Sequence, residues 1–302
     1  MSAQLLVVGS VAFDDIETRA GKREEILGGA AVYIALSARH FCDVALVGVV
    51  GEGDFPDEHV SLLTARGVDV SGLARAPGRT FRWSGVYAAD FSSRRTIRTE
   101  LGVFERFDPE IPRAHRASRF LLLGNIHPAL QLRVLDAMDE GCFVATDTMN
   151  LWIETTRAEL VQVISRTDLL VINDEESLLL TGEPQIAVAA ERILAMGPRC
   201  VVIKRGEHGA WLFDGGRPFF APAMPLLEVV DPTGAGDSFA GGLLGHLAGA
   251  GSTGPADIRR GMVHGAAVAS ASVQGFGVER IAAIDRGWID ERFEELRRLV
   301  EI

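Results

Sequence analysis

Positive charge, cysteine and long apolar runs are all scarce in this chain, and each scarcity closes off a class of function. Lys and Arg number 30 against 41 Asp and Glu, for a net charge of -11. Such an acidic balance argues against nucleic acid or an anionic membrane as partner. Cys42, Cys142 and Cys200 are odd in number and far apart, with neither a metal spacing nor a disulfide framework. That usage fits a reducing cytoplasm. No apolar run is long enough to span a bilayer. Leu5-Leu6-Val7-Val8 has no basic lead-in and reads as a strand rather than a signal peptide. Several catalytic signatures are missing too. The one Gly-Lys pair, Gly21-Lys22, is followed by Arg23, so there is no Walker A loop. There is no zinc-protease helix and no nucleophile-elbow serine. Gly9-Ser10-Val11-Ala12 does not supply the Gly-x-Gly-x-x-Gly turn of a dinucleotide-dependent oxidoreductase.

What is present is an α/β rhythm. The chain has 302 residues, 47% of them apolar, enough for a substantial core. Continuous apolar runs at 5–8, 44–50, 119–123, 142–146, 169–172, 201–204 and 210–213 read as strands, most of them buried and parallel. Between them lie helical stripes: Ala31, Ile34, Ala35, Ala38; Leu130, Val134, Leu135, Met138; Ile258, Met262, Ala266, Ala269. The alternation predicts a doubly wound, mainly parallel sheet with helices on both faces, in a single domain spanning 1–302. Ligands should bind beyond the carboxyl ends of its strands. Two segments, about 14–27 and 80–99, break the rhythm and read as antiparallel hairpins projecting from the sheet. The second carries Phe81, Trp83, Tyr87 and Phe91 with Arg82, Arg94, Arg95 and Arg98.

The most informative stretch is Asp231-Pro232-Thr233-Gly234-Ala235-Gly236-Asp237-Ser238-Phe239-Ala240-Gly241-Gly242. A β-branched run ends at Val230, a Pro and two Gly make a tight loop, and Phe239, Leu243, Leu244 and Leu247 continue at helical spacing. A Gly-rich loop entering a helix aims several backbone N–H groups at one spot, where the helix dipole adds positive potential. Such a nest suits phosphate oxygens, and a carboxylate at its rim can take a proton from an attacking hydroxyl. Asp is equally a good first-turn residue, so the chemistry alone leaves both readings open.

The string itself closely resembles the C-terminal signature of the ribokinase and adenosine kinase family (PfkB carbohydrate kinases). The resemblance runs the length of the chain in order and looks most like the bacterial nucleoside kinases, including Gly124-Asn125-Ile126-His127-Pro128 and Asp147-Thr148-Met149-Asn150. It implies a ribokinase-like fold with a small β lid, the two odd segments forming the lid and able to join a homodimer interface. It implies Asp237 as the base and Gly234, Ala235 and Gly236 as the anion hole. Asp14 matches the carboxylate that binds sugar hydroxyls, and Gly28-Gly29 the double glycine beside it. Asn173 and Glu176 match the pair that organises Mg²⁺ through water around the phosphates of ATP. Lys204 and Gly206 match the nucleotide-side loop, with Thr233 beside them. Gly275, in Gln274–Gly277, falls where the adenine of ATP is covered. In relatives that need a monovalent cation, the counterparts of Asp231 and Thr233 help to hold K⁺.

One departure bears on the substrate. Many sugar-kinase members follow the double glycine with a Lys, and with an Asn three residues later. Here those positions are Ala30 and Tyr33. Losing both polar groups removes partners for a free sugar's anomeric hydroxyl and leaves room, with an aromatic face at Tyr33, for a base. The expectation is therefore a cytoplasmic ATP- and Mg²⁺-dependent kinase acting on the primary hydroxyl of a ribonucleoside, with Asn125 lining the pocket. A sugar kinase acting on ribose, fructose phosphate or a keto-acid sugar shares every catalytic residue, and only the pocket counts against it. A non-catalytic ligand-binding member should have lost the base or the glycines, and both are intact.

Overall fold

The computed structural model describes residues 3–301. In chain order the strands are β1 (Leu5–Val8), β2 (Ala12–Thr18), β3 (Gly21–Gly28), β4 (Val44–Gly51), β5 (Val68–Ala76), β6 (Phe81–Tyr87), β7 (Arg94–Glu100), β8 (Phe120–Leu123), β9 (Phe143–Asp147), β10 (Leu169–Asn173), β11 (Cys200–Lys204), β12 (Ala210–Phe213) and β13 (Phe219–Ala221). The helices are α1 (Ala30–Ala38), α2 (Asp57–Ala65), α3 (Pro128–Ala137), α4 (Asn150–Thr155), α5 (Arg157–Ser165), α6 (Asp174–Thr181), α7 (Ile186–Leu194), α8 (Ala235–Ala250), α9 (Pro255–Ser272), α10 (Glu279–Ala283) and α11 (Arg286–Arg298).

Nine strands form one sheet in the order β13-β12-β11-β10-β9-β8-β1-β4-β5. Pairing is parallel from β11 to β5, and β12 and β13 continue it antiparallel. Alternate strand residues feed opposite faces. Leu5, Val7, Leu122, Val171 and Val202 pack under α1, α8 and α9, while Leu6, Val8, Leu121, Leu123 and Val144 meet α3 and α5 on the other side. From β1 the chain winds outward through β4 and β5, then returns to place β8 on β1's other edge. The β1/β8 boundary is thus the topological switch point, where an open sheet leaves a crevice.

A second sheet, β3-β2-β6-β7, is built from the two segments that broke the α/β rhythm. In it, β2 runs parallel to β6 with Asp14 opposite Trp83, and β6 runs antiparallel to β7 with Tyr87 opposite Arg94. Residues in register share a face, so Asp14, Trp83, Tyr87 and Arg94 lie on one side of the lid.

Two elements differ from the sequence expectation. Strand β5 lacks a continuous apolar run because it is an edge strand, and most of its residues are half-buried or exposed. Helix α1 is not a one-sided stripe. All nine of its residues are buried, because α8 covers the face that the sheet leaves free.

Candidate functional site

The 230–242 signature folds as its composition requires. Gly234 takes φ +72°, a left-handed conformation open to Gly, and caps the N-terminus of α8. A Cβ there would overlap the Tyr33 ring. Ala235, Gly236 and Asp237 form the first turn of α8, where N–H groups lack intrahelical partners; the Ala235 N–H donates to Pro232 O at 3.2 Å within the turn, which leaves those of Gly236 and Asp237 for a ligand. Lys204, ending β11, brings its Nζ to 3.1 Å from where a Cβ on Gly236 would stand. The same Nζ is 3.4 Å from Asp147 Oδ1 at the end of β9.

The loop is tied down on both flanks. Asp231 Oδ1 accepts from the Thr233 N–H at 2.9 Å, and its Oδ2 accepts from Gly277 N–H at 3.0 Å. The second bond joins the signature loop to the 274–277 segment, and Val230 N–H also donates to Val273 O at 2.8 Å. Thr233 Oγ1 is paired with Tyr87 Oη of the lid at 2.9 Å.

The double glycine makes room for Asp14. A Cβ on Gly28 would overlap the Asp14 carboxylate, and one on Gly29 (φ +93°) would run into the Ser10 and Ala12 backbone. The Gly29 N–H is close enough to Asp14 to favour its charged form slightly. Ser10 in turn receives the Ala30 N–H on its hydroxyl and the Ala31 N–H on its carbonyl. Asp14 is 4% exposed, and burial, then Asp231, Asp237 and Asp15, push it up to about 8. Burial and Asp147 also push Asp237 well above the usual carboxylate range, against the pull of Lys204 and of Arg94 from the lid. Although burial opposes it, the carboxylates of Asp147, Glu176 and Asp237 hold Lys204 charged. Raised carboxylates converging on a lysine beside a nest of N–H groups mark a site built for an anionic ligand and a proton transfer.

Asn173 and Glu176 close a capping box at the start of α6. Asn173 Oδ1 accepts the Glu176 N–H at 2.7 Å, and Glu176 Oε2 accepts the Asn173 N–H at 2.9 Å. The pair therefore has a structural duty of its own. One carboxylate oxygen of Glu176 is left over, and burial with Asp147 pushes that acid up to about 7. A nearby cation would restore its charge. Among the described residues no three His, Cys, Asp or Glu side chains form a direct metal cage. That donor set suits an ion that keeps its water and is held through phosphate.

Gly206 (φ +54°) turns the loop after β11, with open space where its side chain would be, and Arg205 reaches back to Asp174 at 3.3 Å. Gly275 lies against Arg280. Asn125 and His127 follow β8 at the switch point. Asn125 Oδ1 accepts from Trp152 Nε1 at 2.7 Å, and its Nδ2 donates to Met149 Sδ at 3.1 Å.

Tyr33 requires a correction. It does not offer an open aromatic face. It is 1% exposed, and its ring is covered by Gly234, because α1 is buried all round. Its hydroxyl is buried without a partner among the described residues, and burial with Asp14, Asp231 and Asp237 raises its pKa well above 10. Tyr33 underlies the loop, and the lid's Trp83 is the aromatic in register with Asp14. Two further residues escaped the sequence reading. Asp147 had a signal, an Asp ending a buried strand. Arg94 had none stronger than its place in an alternating lid strand.

An α/β sheet with a β lid, a helix-capping anion nest and a raised carboxylate at its rim defines a phosphotransferase with an alcohol as acceptor. The pfkB family carbohydrate kinases match residues 2–283, and the chain belongs to that family. It is 34% identical over 247 residues to the cytidine kinase of Thermococcus kodakarensis, covering 80% of this chain and 87% of that one. Among solved structures it is similar to the Burkholderia thailandensis nucleoside kinase in complex with inosine, at TM-score 0.76 and 22% identity over 97% of this chain and 98% of that. It is also similar to the Arabidopsis thaliana ribokinase complexed with ribose and ATP, at TM-score 0.79 and 22% identity over 97% and 99%.

Proposed function

We propose that this chain is an ATP- and Mg²⁺-dependent nucleoside kinase that phosphorylates the 5′-hydroxyl of a ribonucleoside. The observation that carries the reading is the pairing of Asp14 with an apolar floor. Ala30 is buried next to Gly29, and its methyl lies 3.5 Å from where a Cβ on Gly124 would stand. A free sugar's anomeric hydroxyl would be buried there without a partner, at a cost of about 1–3 kcal/mol. A nucleoside carries no such hydroxyl. The 34% identity with a cytidine kinase supports the same side.

The residues then divide the work. Asp14 accepts the vicinal ribose hydroxyls and orients the sugar. Asp237 takes the proton of the 5′-hydroxyl as its oxygen bonds to phosphorus. The N–H groups of Gly236 and Asp237 and the Lys204 ammonium stabilise the charge on the equatorial oxygens. ATP supplies the phosphoryl group, with ADP as leaving group and Mg²⁺ reached through water from Glu176 and Asn173. Gly206 and Gly275 flank the nucleotide. Asp231 and Thr233, whose counterparts help to hold K⁺ in relatives that need it, here tie the loop through Thr233 N–H, Gly277 N–H and Tyr87, and the Asp231 oxygens keep lone pairs for a cation.

A coupled ADP-release assay over ribonucleosides, ribose and fructose 6-phosphate tests this. A nucleoside should show the highest kcat/KM. A sugar or sugar phosphate turned over better than every nucleoside contradicts it.

A further inference from the structure

The cluster after β8 and β9 has no part in the chemistry above, yet its polar atoms are held in one arrangement. Trp152 Nε1 can only donate, so the atom of Asn125 facing it at 2.7 Å must be Oδ1. That fixes the amide flip and turns Nδ2 the other way, where one N–H meets Met149 Sδ at 3.1 Å. His127 is fixed in the same manner. Its Nδ1 accepts the Ala129 N–H at 3.1 Å as the N-cap of α3, so the neutral ring carries its proton on Nε2. The imidazole stands edge-on to the Trp152 indole, with centroids 5.1 Å apart at 62°. Among the described residues neither the second Asn125 N–H nor the His127 Nε2–H meets an acceptor. All four side chains are half-buried rather than sealed.

Their place follows from the topology. Asn125 stands one residue beyond Gly124, which lies against Ala30 at the floor of the sugar site. On the nucleoside reading, a base on the anomeric carbon of a sugar held on Asp14 lies beyond the Ala30 and Gly124 floor, where the chain runs directly on into Asn125 and His127. These two residues offer N–H donors beside the Trp152 indole.

We propose that Asn125 and His127 read the base of the nucleoside, with Trp152 as the positioning residue, and that they select a base presenting two adjacent acceptors, as O2 and N3 of cytosine do. The proposal rests on the nucleoside reading above and goes beyond it. Uracil sets a third N–H against these donors at N3, and the lost hydrogen bond leaves a donor unpaired. Sites built around such bonds discriminate strongly against analogues lacking them.

The test compares kcat/KM for cytidine, 3-deazacytidine, uridine and ribose in the intact protein and in His127→Ser and Trp152→Phe. Serine can still cap α3 but lacks the Nε2–H. Phenylalanine keeps an aromatic ring and frees the Asn125 amide to flip. The intact protein should favour cytidine over 3-deazacytidine and uridine by about tenfold or more, the worth of one good hydrogen bond. Each variant should lose most of that preference while its turnover of ribose stays nearly unchanged, which a folding defect would not spare. Nucleosides phosphorylated with no cytidine preference, or a preference that survives both substitutions, overturn the assignment and leave the nucleoside kinase standing. If no nucleoside is phosphorylated, both fall.

Discussion

Tyr87 Oη and Thr233 Oγ1 stand 2.9 Å apart and join the inner face of the lid to the loop that opens α8. This bond crosses from the small sheet to the glycine-rich turn that opens α8, two residues before Ala235. On the proposed function, the bond couples the position of the lid to the order of the turn that would hold the transferred phosphoryl. It also sets Arg94, opposite Tyr87 in register, near enough to Asp237 to lower its pKa.

Tyr87→Phe should therefore loosen lid closure without disturbing the core. One neutral hydrogen bond is worth about 1 kcal/mol, so kcat/KM should fall roughly fivefold. Water should reach the site more often, and ADP release without acceptor should rise relative to the parent. A coupled assay run with and without acceptor reads both effects. Unchanged coupling between ATP use and product would show that the bond plays no part in closure.

Gly234→Ala should be far more damaging than its one added methyl suggests. The residue holds φ +72°, and the new Cβ would drive into the buried Tyr33 ring. Loop and ring cannot both keep their places, so kcat should fall at least about a hundredfold, the scale of losing an oxyanion-hole donor. Gly67→Ala is the control for backbone strain alone, since φ is +81° there with open space around it. Circular dichroism melts and steady-state kinetics on both variants separate the effects. Full activity in Gly234→Ala would refute the role of the turn.

Asp14 should make the protein less stable as pH rises. Its folded-state pKa is about 8, above the ordinary 3.8, so between those values the folded chain holds a proton that the unfolded chain has lost. Below about pH 4 both states are protonated and the carboxyl costs nothing through its charge. Stability then falls progressively as pH climbs, and the loss is complete once pH passes the folded-state value of about 8. Asp14→Asn removes the charge and should melt several degrees above the parent at pH 8, with a smaller gain at pH 5. Its KM for nucleoside should rise most above pH 8, where the parent's ionised carboxylate offers two acceptor oxygens and the amide one. Thermal melts at the two pH values check the first claim. An equal shift at both would show that the carboxylate is not held protonated.

Much of this architecture was legible because it rests on short-range rules. Apart from β5, the strands from β1 to β12 in the large sheet read as apolar runs, and the 230–242 turn reads as a helix-opening loop from its Pro and Gly and the helical spacing of Phe239, Leu243, Leu244 and Leu247 after them. Asp14 and the double glycine were found together through the family pattern, and the structure adds why: Gly28 must lack a side chain for the carboxylate to fit. What the sequence hid depends on who covers whom. Tyr33 looked like a free aromatic because nothing local says that α8 will bury α1. Edge strand β5 has no apolar run to betray it. Asp147 and Tyr87 acquire their roles only through Lys204 and Thr233, which lie 57 and 146 positions away. Arg94 likewise gains its role only when the lid carries it to Asp237.

The central claim is that Asp237 takes the proton of the acceptor hydroxyl. The measurement that tests it most directly is the turnover number of Asp237→Asn with saturating ATP, Mg²⁺ and the preferred nucleoside, alongside its affinity for ATP. The amide keeps the size of the side chain and the first turn of α8 but cannot take a proton. The account predicts a loss of about a thousandfold in kcat, within the range of general-base removal, with ATP binding nearly intact. Near-normal kcat in that variant would contradict it.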